Sequence, residues 1–468
     1  MVVNNKTGKQ KSISKVIIWQ VLGSFLLQGI GFFTTPIFTR ILLPSDYGQT
    51  STFSSWVSIV GIFIGLQLSG TIGIAKNKIK EDEYNQYCSS VLGLATCAFL
   101  VVQLLLLALQ SPISVLMKFP SWLVPVIALQ SYATFVISFF ATKLEFEFKV
   151  EIKTIISAVL SLVTIALSLM LAVHMESNRY VSKILGALIP AVSLAIIEVF
   201  VVFSKGKTFF SKKYWRFALG LSIPLMFHAA AGIVFAQSDI IMLKSIVDES
   251  ETGIYSLVYS LAIIIDLLWS AFNHSWIPFY YEYKKDGKFY LIEQKSKGYR
   301  FIFTSITIGF MLCAPEVFKI LVPEQYWSGL KIVPLVACTY YFNFLYSFPA
   351  NHEFFYENTK LISTATVMSA ILNIVINLLL IPRYHSIGAA IATLMSYFLV
   401  FAFHDYCARY IIGDFEYTWR FYIVGLIPVI LAVVLYYFIM PFVLLRWAMA
   451  VLLGIIILLR VYIKQSVF

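Results

Sequence analysis

The feature that most constrains this chain is a run of long apolar stretches parted only by short polar loops. Fourteen can be read, at approximately 16–38, 48–74, 88–110, 121–142, 153–174, 180–203, 214–237, 253–277, 300–321, 331–355, 361–381, 386–408, 420–439 and 442–462. A helix needs about 20 apolar residues to cross the hydrocarbon core of a bilayer, and most of these stretches are that long. With 59% hydrophobic and 13% charged residues, the composition lies outside the range of soluble domains. Little chain remains for a soluble catalytic domain. In lipid every backbone N–H and C=O must be bonded internally, which makes helices of these stretches. The ten-residue alternation of a transmembrane barrel is absent. The expected fold is an all-α integral membrane protein of about 14 transmembrane helices. Only Met440 and Pro441 part the last two stretches, and twelve spans would have the same parity. The first stretch is too long for a signal-peptide core and no small-residue cleavage site follows it, so it is expected to be retained.

The net charge of +11 invites a nucleic-acid reading, but the placement of the charge argues for a membrane. With the N-terminus set inside, 26 of the 35 Lys and Arg residues fall on inside segments and nine on outside ones. This is the positive-inside bias. It predicts cytoplasmic termini at both ends of the chain and no nucleic-acid partner. Cys88, Cys97, Cys313, Cys338 and Cys407 are scattered without a CxxC pair, so neither a metal nor a redox centre is expected, and they read as small apolar filler. No GxxxxGK[ST] loop is present, so no nucleotide cofactor is expected.

The second half of the chain echoes the first. The first stretch runs into Thr39-Arg40-Ile41-Leu42-Leu43-Pro44-Ser45-Asp46-Tyr47-Gly48; the seventh runs into Asp239-Ile240-Ile241-Met242-Leu243 and a loop closing at Ser250-Glu251-Thr252-Gly253. The two glycines lie 205 residues apart and six spans separate the copies, an even number, so both have the same orientation. Parallel repeats of this kind build two lobes about a cleft. The expected organisation is a six-helix lobe over 1–205, a second over 206–411, and two further helices over 412–468. A transporter is the reading this layout favours.

Polar residues in membrane helices mark protein or water contact. Gln20, Ser24, Gln28, Gly31 and Thr35 share a face of the first span, and Tyr255, Tyr259, Asp266, Ser270 and Asn273 share one of the eighth. Tyr340, Asn343, Ser347 and Asn351 line the tenth span; Ser369, Asn373 and Asn377 line the eleventh. Amides and hydroxyls beside tyrosine rings suit a sugar-bearing substrate, while bonds between helices explain any single residue as well. Asp266 lies mid-span, where a carboxylate is costly unless paired, protonated or wetted. It reads as a coupling-ion candidate or as half of a structural pair. Asp239, nearer the outer end, is a second candidate within reach of bulk solvent. Arg40 at the outer mouth suits a phosphate, and Lys76 and Arg216 at inner span ends suit an anionic headgroup. Membrane anchoring explains all three equally. His228, His274, His352 and His404 read as buried or interfacial, and Glu198, Glu353 and Asp405 as solvated near span ends. Pro190, Pro224, Pro349 and Pro428 interrupt their spans and permit kinks.

Three stretches carry a family resemblance. Arg40 through Gly48 resembles the segment after the first span of polysaccharide-biosynthesis flippases, within the multidrug/oligosaccharidyl-lipid/polysaccharide exporter superfamily. Asp239 with Ile240-Ile241-Met242-Leu243, then Gly253-Ile254-Tyr255-Ser256, resembles the matching segment at the seventh and eighth spans. Ile381-Pro382-Arg383-Tyr384-His385-Ser386-Ile387-Gly388-Ala389-Ala390-Ile391-Ala392-Thr393 resembles the family's lead into the twelfth span, with His385 standing where glycine is usual. The resemblance implies a bacterial cytoplasmic (inner) membrane protein, not an enzyme. It would flip an undecaprenyl-diphosphate-linked oligosaccharide outward for O-antigen, capsule or exopolysaccharide, by alternating access. The first, second, seventh and eighth spans would line its cavity. A polysaccharide polymerase and a chain-length regulator would be partners beside the membrane lipids. It also implies cavity cations for the diphosphate, which this chain offers only at the span ends. A drug or organic-cation antiporter of the same superfamily, a peptidoglycan-precursor flippase, and a membrane polymerase, ligase or glycosyltransferase remain alternatives. The outward segments are short and lack a clustered acid/base pair, which speaks against the last.

Overall fold

The computed structural model describes residues 19, 23, 26, 27 and 29–464, and every regular element among them is helical. Two compact units divide the chain, 1–237 and 238–468. The division falls inside a single helix, α9 (Lys212–Ile246).

In the first unit, α1 covers 29–41. The hydroxyls of Thr34, Thr35 and Thr39 donate to the carbonyls of Ile30, Gly31 and Thr35, one turn back. That satisfies them inside an apolar helix without outside help. α2 (Pro44–Gly65) opens with Pro44 in its first turn, where the missing N–H costs nothing. The Asp46 carboxylate accepts the backbone N–H of Leu43 at 3.2 Å and that of Tyr180 at 3.1 Å. Tyr180 is the first residue of α8 (Tyr180–Gly206). Arg179 returns the link by donating to the Ile41 carbonyl at 3.0 Å. The Thr39–Gly48 stretch is therefore a brace that joins α1, α2 and the start of α8. α2 ends at Leu66 and Gln67, both left-handed with φ of 45° and 54°. The chain turns there by 48° into a short 3-10 turn and α3 (Ile72–Lys78).

α4 (Tyr84–Ala108), α5 (Gln110–Met117), α6 (Leu123–Phe146) and α7 (Val150–His174) complete this unit with α8 and the start of α9. One core gathers Val91, Leu92 and Ala95 of α4, Phe139 of α6, Ala195 and Val202 of α8 and Ala218 of α9. A second gathers Phe53 and Ile64 of α2, Leu123 and Ile127 of α6 and Ile184 of α8. Small residues on α4 and α8 let the backbones approach, as membrane helix interfaces require.

The second unit contains α10 (Glu249–Lys285), α11 (Phe289–Leu321), α12 (Val333–Phe355), α13 (Thr359–Tyr406), α14 (Trp419–Ile439) and α15 (Val443–Lys464). At 37 residues and about 1.5 Å per residue, α10 is much longer than the roughly 30 Å hydrocarbon core. Part of it therefore extends beyond the apolar layer. Its start is capped by Asp248, whose carboxylate accepts the Glu251 N–H at 2.8 Å. α13 is two spans joined without a loop. It breaks at His385, with φ 51° and ψ −130°. Rings of Tyr299, Phe303, Phe344 and Phe348 pack with centroids 4.4 to 5.8 Å apart and tie α11 to α12. Phe348 extends the cluster to Phe421 at 5.1 Å, on α14.

The protein is thus an all-helical multi-pass membrane protein. Among the described residues ten helices are long and apolar enough to cross a membrane, or eleven with the bent α2–α3 pair as one. The helix order is compatible with fourteen spans. Pro190, Pro224, Pro349 and Pro428 lie inside α8, α9, α12 and α14 and end none of them. One expectation is overturned: Glu198, Glu353 and Asp405 are not solvated but at most 3% exposed. Glu353 is bonded by His404 at 2.7 Å, and Asp405 is gripped by Arg409 at 2.6 and 2.8 Å. For Glu353 and Asp405 the pairing removes the need for water; Glu198 is buried with one carboxylate oxygen unbonded.

Candidate functional site

Asp239 is the centre of the densest polar group in the second unit. It is 5% exposed, so bulk solvent does not reach it as its place in the sequence suggested. Two helices, α10 and α13, converge on it. Tyr255 of α10 donates its hydroxyl to one carboxylate oxygen at 2.6 Å, and Thr393 of α13 donates to the same oxygen. Asn377 of α13 donates its amide to the other oxygen at 2.9 Å. Ser238 lies 3.4 Å from that oxygen and donates to the Asn373 side-chain oxygen at 2.8 Å, which also accepts from Asn377 at 2.9 Å.

The convergence follows from local sequence. Asn373 and Asn377 are four residues apart, hence on one face of α13. The break at His385 turns the chain back so that Thr393 returns beside them; Asn373 and Thr393 stand 3.5 Å apart. Glu251, in the first turn of α10, accepts the Ser386 N–H at 3.4 Å, which fastens the break to α10. Every bonded neighbour of Asp239 is neutral. The group offers carboxylate, amide and hydroxyl oxygens and no nitrogen or sulfur ligand, the set a proton or a hard cation uses.

A second row of polar contacts runs along α10 and α12. Asn343 donates to Asp266 at 3.0 Å, and Asn351 donates to Asn273 at 3.0 Å. Asp266 and Asn273 are each half-buried, as is Ser270 between them. The ring of Tyr259 stacks at 4.6 Å on Tyr255 and lies 6.3 Å from Tyr340, bridging the row to the Asp239 group. Of the residues read from sequence, the structure brings together Asp239, Tyr255, Asn373 and Asn377 in one cluster. Asp266, Asn343 and Asn273 fall in the adjoining row.

The remaining candidates belong to the first unit and do not share a cluster. Arg40 is exposed and donates to the Pro36 carbonyl at 2.9 Å. Lys76 sits over the Tyr84 ring at 4.6 Å and 4.0 Å from Glu81. Arg216 is exposed near the start of α9. Gln20, Ser24 and Gln28 lie outside the described residues.

Sequence reasoning missed Thr393 and Ser238 as members of the Asp239 group. Thr393 stood at the end of the Ile381–Thr393 stretch, and its place there was the available signal. It also missed a buried ion pair, Lys284 with Glu416, each side chain 2% exposed. Lys284 also donates to the Asp414 carbonyl at 2.5 Å, and Tyr280 lies 3.1 Å from a His352 ring nitrogen. The other His352 nitrogen lies 2.9 Å from the Gly413 carbonyl. Burial pushes the Glu416 carboxyl up, yet the His352 ring 3.7 Å away and Lys284 pull it down further, to a net value below the ordinary one. No local pattern announces a pair separated by 130 residues and more.

The comparisons with known proteins bear on the family and the fold. The family described as "Polysaccharide biosynthesis protein" matches residues 13–284. A Haemophilus influenzae protein described as "Lsg locus putative protein 1" is 27% identical over 194 residues, 38% of this chain and 47% of its own length, so the chain spans about half of that relative. An "Uncharacterized membrane protein" of the same organism is 21% identical over 75% of this chain and 86% of its own length. Among solved structures, the lipid II flippase MurJ in an inward closed conformation aligns with a TM-score of 0.72 at 15% identity, covering 94% of this chain and 97% of its own. An inward-facing multidrug resistance MATE family transporter of the MOP superfamily aligns with a TM-score of 0.58 at 10% identity, over 84% and 98%. At these identities the likeness concerns the fold.

Proposed function

This chain belongs to the polysaccharide biosynthesis protein family, and from that premise we propose that it is a flippase for a lipid-linked glycan. It moves an undecaprenyl-diphosphate-linked oligosaccharide from the cytoplasmic to the outer face of the bacterial cytoplasmic membrane, for O-antigen, capsule or exopolysaccharide. It works by alternating access, with a polymerase and a chain-length regulator downstream and both termini in the cytoplasm.

The observation that carries the reading is the family match over residues 13–284; the Asp239 group bears on how transport is coupled. A buried carboxylate in a membrane bundle, held only by neutral donors, needs positive charge to balance it. A proton or a small cation supplies that charge, and its arrival and departure biases the helices that meet there. Asp239 is the coupling position. The Asp266–Asn343 and Asn273–Asn351 contacts, with Tyr255, Tyr259 and Ser270, form the wall of the glycan pathway that this unit contributes. Arg40, Lys76 and Arg216 are the cations of the first unit that the proposed function leaves for the anionic headgroup.

The experiment is a deletion strain of the source bacterium, asking which leaflet holds the undecaprenyl-linked repeat unit and whether surface polymer is lost. Intermediates trapped on the cytoplasmic side, with polymer lost, support flipping. Normal polymer with impaired efflux of organic cations moves the protein to the antiporter reading. Two membrane carboxylates, Asp239 and Asp266, with no cation bonded to either, favour that second reading.

A further inference from the structure

We infer that a groove along the first half of α9 is the docking site where the diphosphate and prenyl chain of the lipid-linked substrate first engage the protein; the inference rests on the flippase reading. The groove lies wholly within the first unit, has a volume of about 750 Å³, and is lined by Lys212, Arg216, Leu219, Gly220, Ile223 and Pro224. Phe210 and Trp215 close its polar end, their rings 4.7 Å apart and edge to face.

The rotation of α9 is fixed by its neighbours. Tyr214 and Lys213 donate to Glu83 at 2.9 and 2.8 Å, and the Trp215 indole donates to the Ser90 carbonyl at 2.8 Å. Gly93 lets the preceding loop lie against α4: a Cβ there would stand 2.3 Å from the Phe209 carbonyl oxygen. With those residues committed to α4, Lys212 and Arg216 stand on the free face, both exposed. Neither has a hydrogen-bond or ion-pair partner among the described residues. Lys213 is neutralised; these two are not.

Residues 212, 216, 220 and 224 follow each other at four-residue steps, and 219 and 223 fill the same face. Two cations therefore sit one turn apart, about 6 Å between Cβ atoms, followed by an apolar strip. A diphosphate brings two adjacent anionic phosphates to the pair, and Arg216 can meet one of them through two parallel bonds. A phospholipid's single phosphodiester leaves one cation unmatched, so charge complementarity selects the diphosphate. From Leu219 to Pro224 the strip runs about 8 Å at 1.5 Å per residue, about half of the roughly 15 Å of one leaflet's hydrocarbon. The head-proximal part of a prenyl chain can lie along it. Gly220 notches the strip: a Cβ added there meets nothing within 4 Å.

The test uses the full-length protein in nanodiscs with three probes: undecaprenyl diphosphate, inorganic diphosphate and phosphatidylglycerol. Two variants are compared with the parent, Lys212→Ala with Arg216→Ala, and Gly220→Leu, which fills the notch without touching the core. The charge variant should weaken both diphosphates at least tenfold. Gly220→Leu should weaken undecaprenyl diphosphate alone. Undiminished undecaprenyl diphosphate binding in both variants overturns the site, as does phosphatidylglycerol displacing it from the parent at equal concentration. The flippase reading fails separately, if the deletion strain keeps its polymer.

Discussion

At the scale of single residues, two positions make opposite predictions. Asp239 accepts from Tyr255, Thr393, Asn377 and Ser238, so Asp239→Asn preserves volume and most bonds while removing the charge. Transport should fall at least tenfold at unchanged membrane abundance, measured by surface polymer in a complemented deletion strain. Wild-type polymer from that variant would remove Asp239 from the coupling role. Asp266→Asn, which alters a half-buried contact to Asn343, should cost less. His385 is the other position. Its φ of 51° with ψ of −130° is the first central position of a type II′ turn, which glycine fills without strain. Such strain costs about 1–3 kcal/mol. His385→Gly should therefore stabilise the fold by about 1 kcal/mol after glycine's entropy is subtracted, read as a higher midpoint of thermal unfolding in detergent. His385→Ala should give no gain. The sequence already marked this position as a departure; the backbone angle supplies the reason glycine is usual there.

At the scale of elements, the segment between α13 and α14 is held by charge. Lys284 and Glu416 are buried together, with His352, Tyr280 and the Asp414 carbonyl around them. Removing one member leaves the other charge uncompensated, at a cost of about 3–5 kcal/mol. Lys284→Met should expose residues 413–418 to hydrogen exchange, and adding Glu416→Leu should restore most of the protection. The pH dependence has a definite sign. The Glu416 carboxyl lies below its ordinary value, so its contribution is present above the unfolded value of about 4.3 and is lost as pH falls through the lower folded value. Protection of 413–418 should thus weaken in acid below about pH 4 and hold at neutral pH. The helices themselves were legible, because apolar length dictates them in lipid. The α2–α3 bend was not, since Leu66 and Gln67 are ordinary residues whose left-handed backbone is imposed by packing. The polar stripes on α10, α12 and α13 were legible as faces. Their partners were not, because periodicity says which side a residue lies on and not what the neighbouring helix presents. Asp239 shows the limit: its position near a span end suggested solvent, and Thr393 and Asn377 of a distant helix buried it.

At the scale of the whole molecule, the charge distribution makes a claim that no single contact does. Under the fourteen-span reading, 26 of 35 basic residues fall on inside segments, and an asymmetry of that size orients a membrane protein during insertion. Lys284 and Lys285 end α10, and Glu249 begins it, so that one helix carries both faces of the prediction. In a cysteine-free background, Ser250→Cys should react with an impermeant maleimide in intact cells, and Lys285→Cys only after the membrane is opened. Both positions are chosen on α10 because it is continuous across the layer, so the two results are tied to one another by geometry. The reverse pattern would invert the topology and put the Lys212–Arg216 groove in the outer leaflet, where a substrate made in the cytoplasm does not start. Reaction of both sites in intact cells would mean that α10 does not cross, although it is long and apolar enough to do so. Labelling at Ser250→Cys alone is the outcome under which the Lys212–Arg216 groove faces the leaflet where a substrate made in the cytoplasm starts.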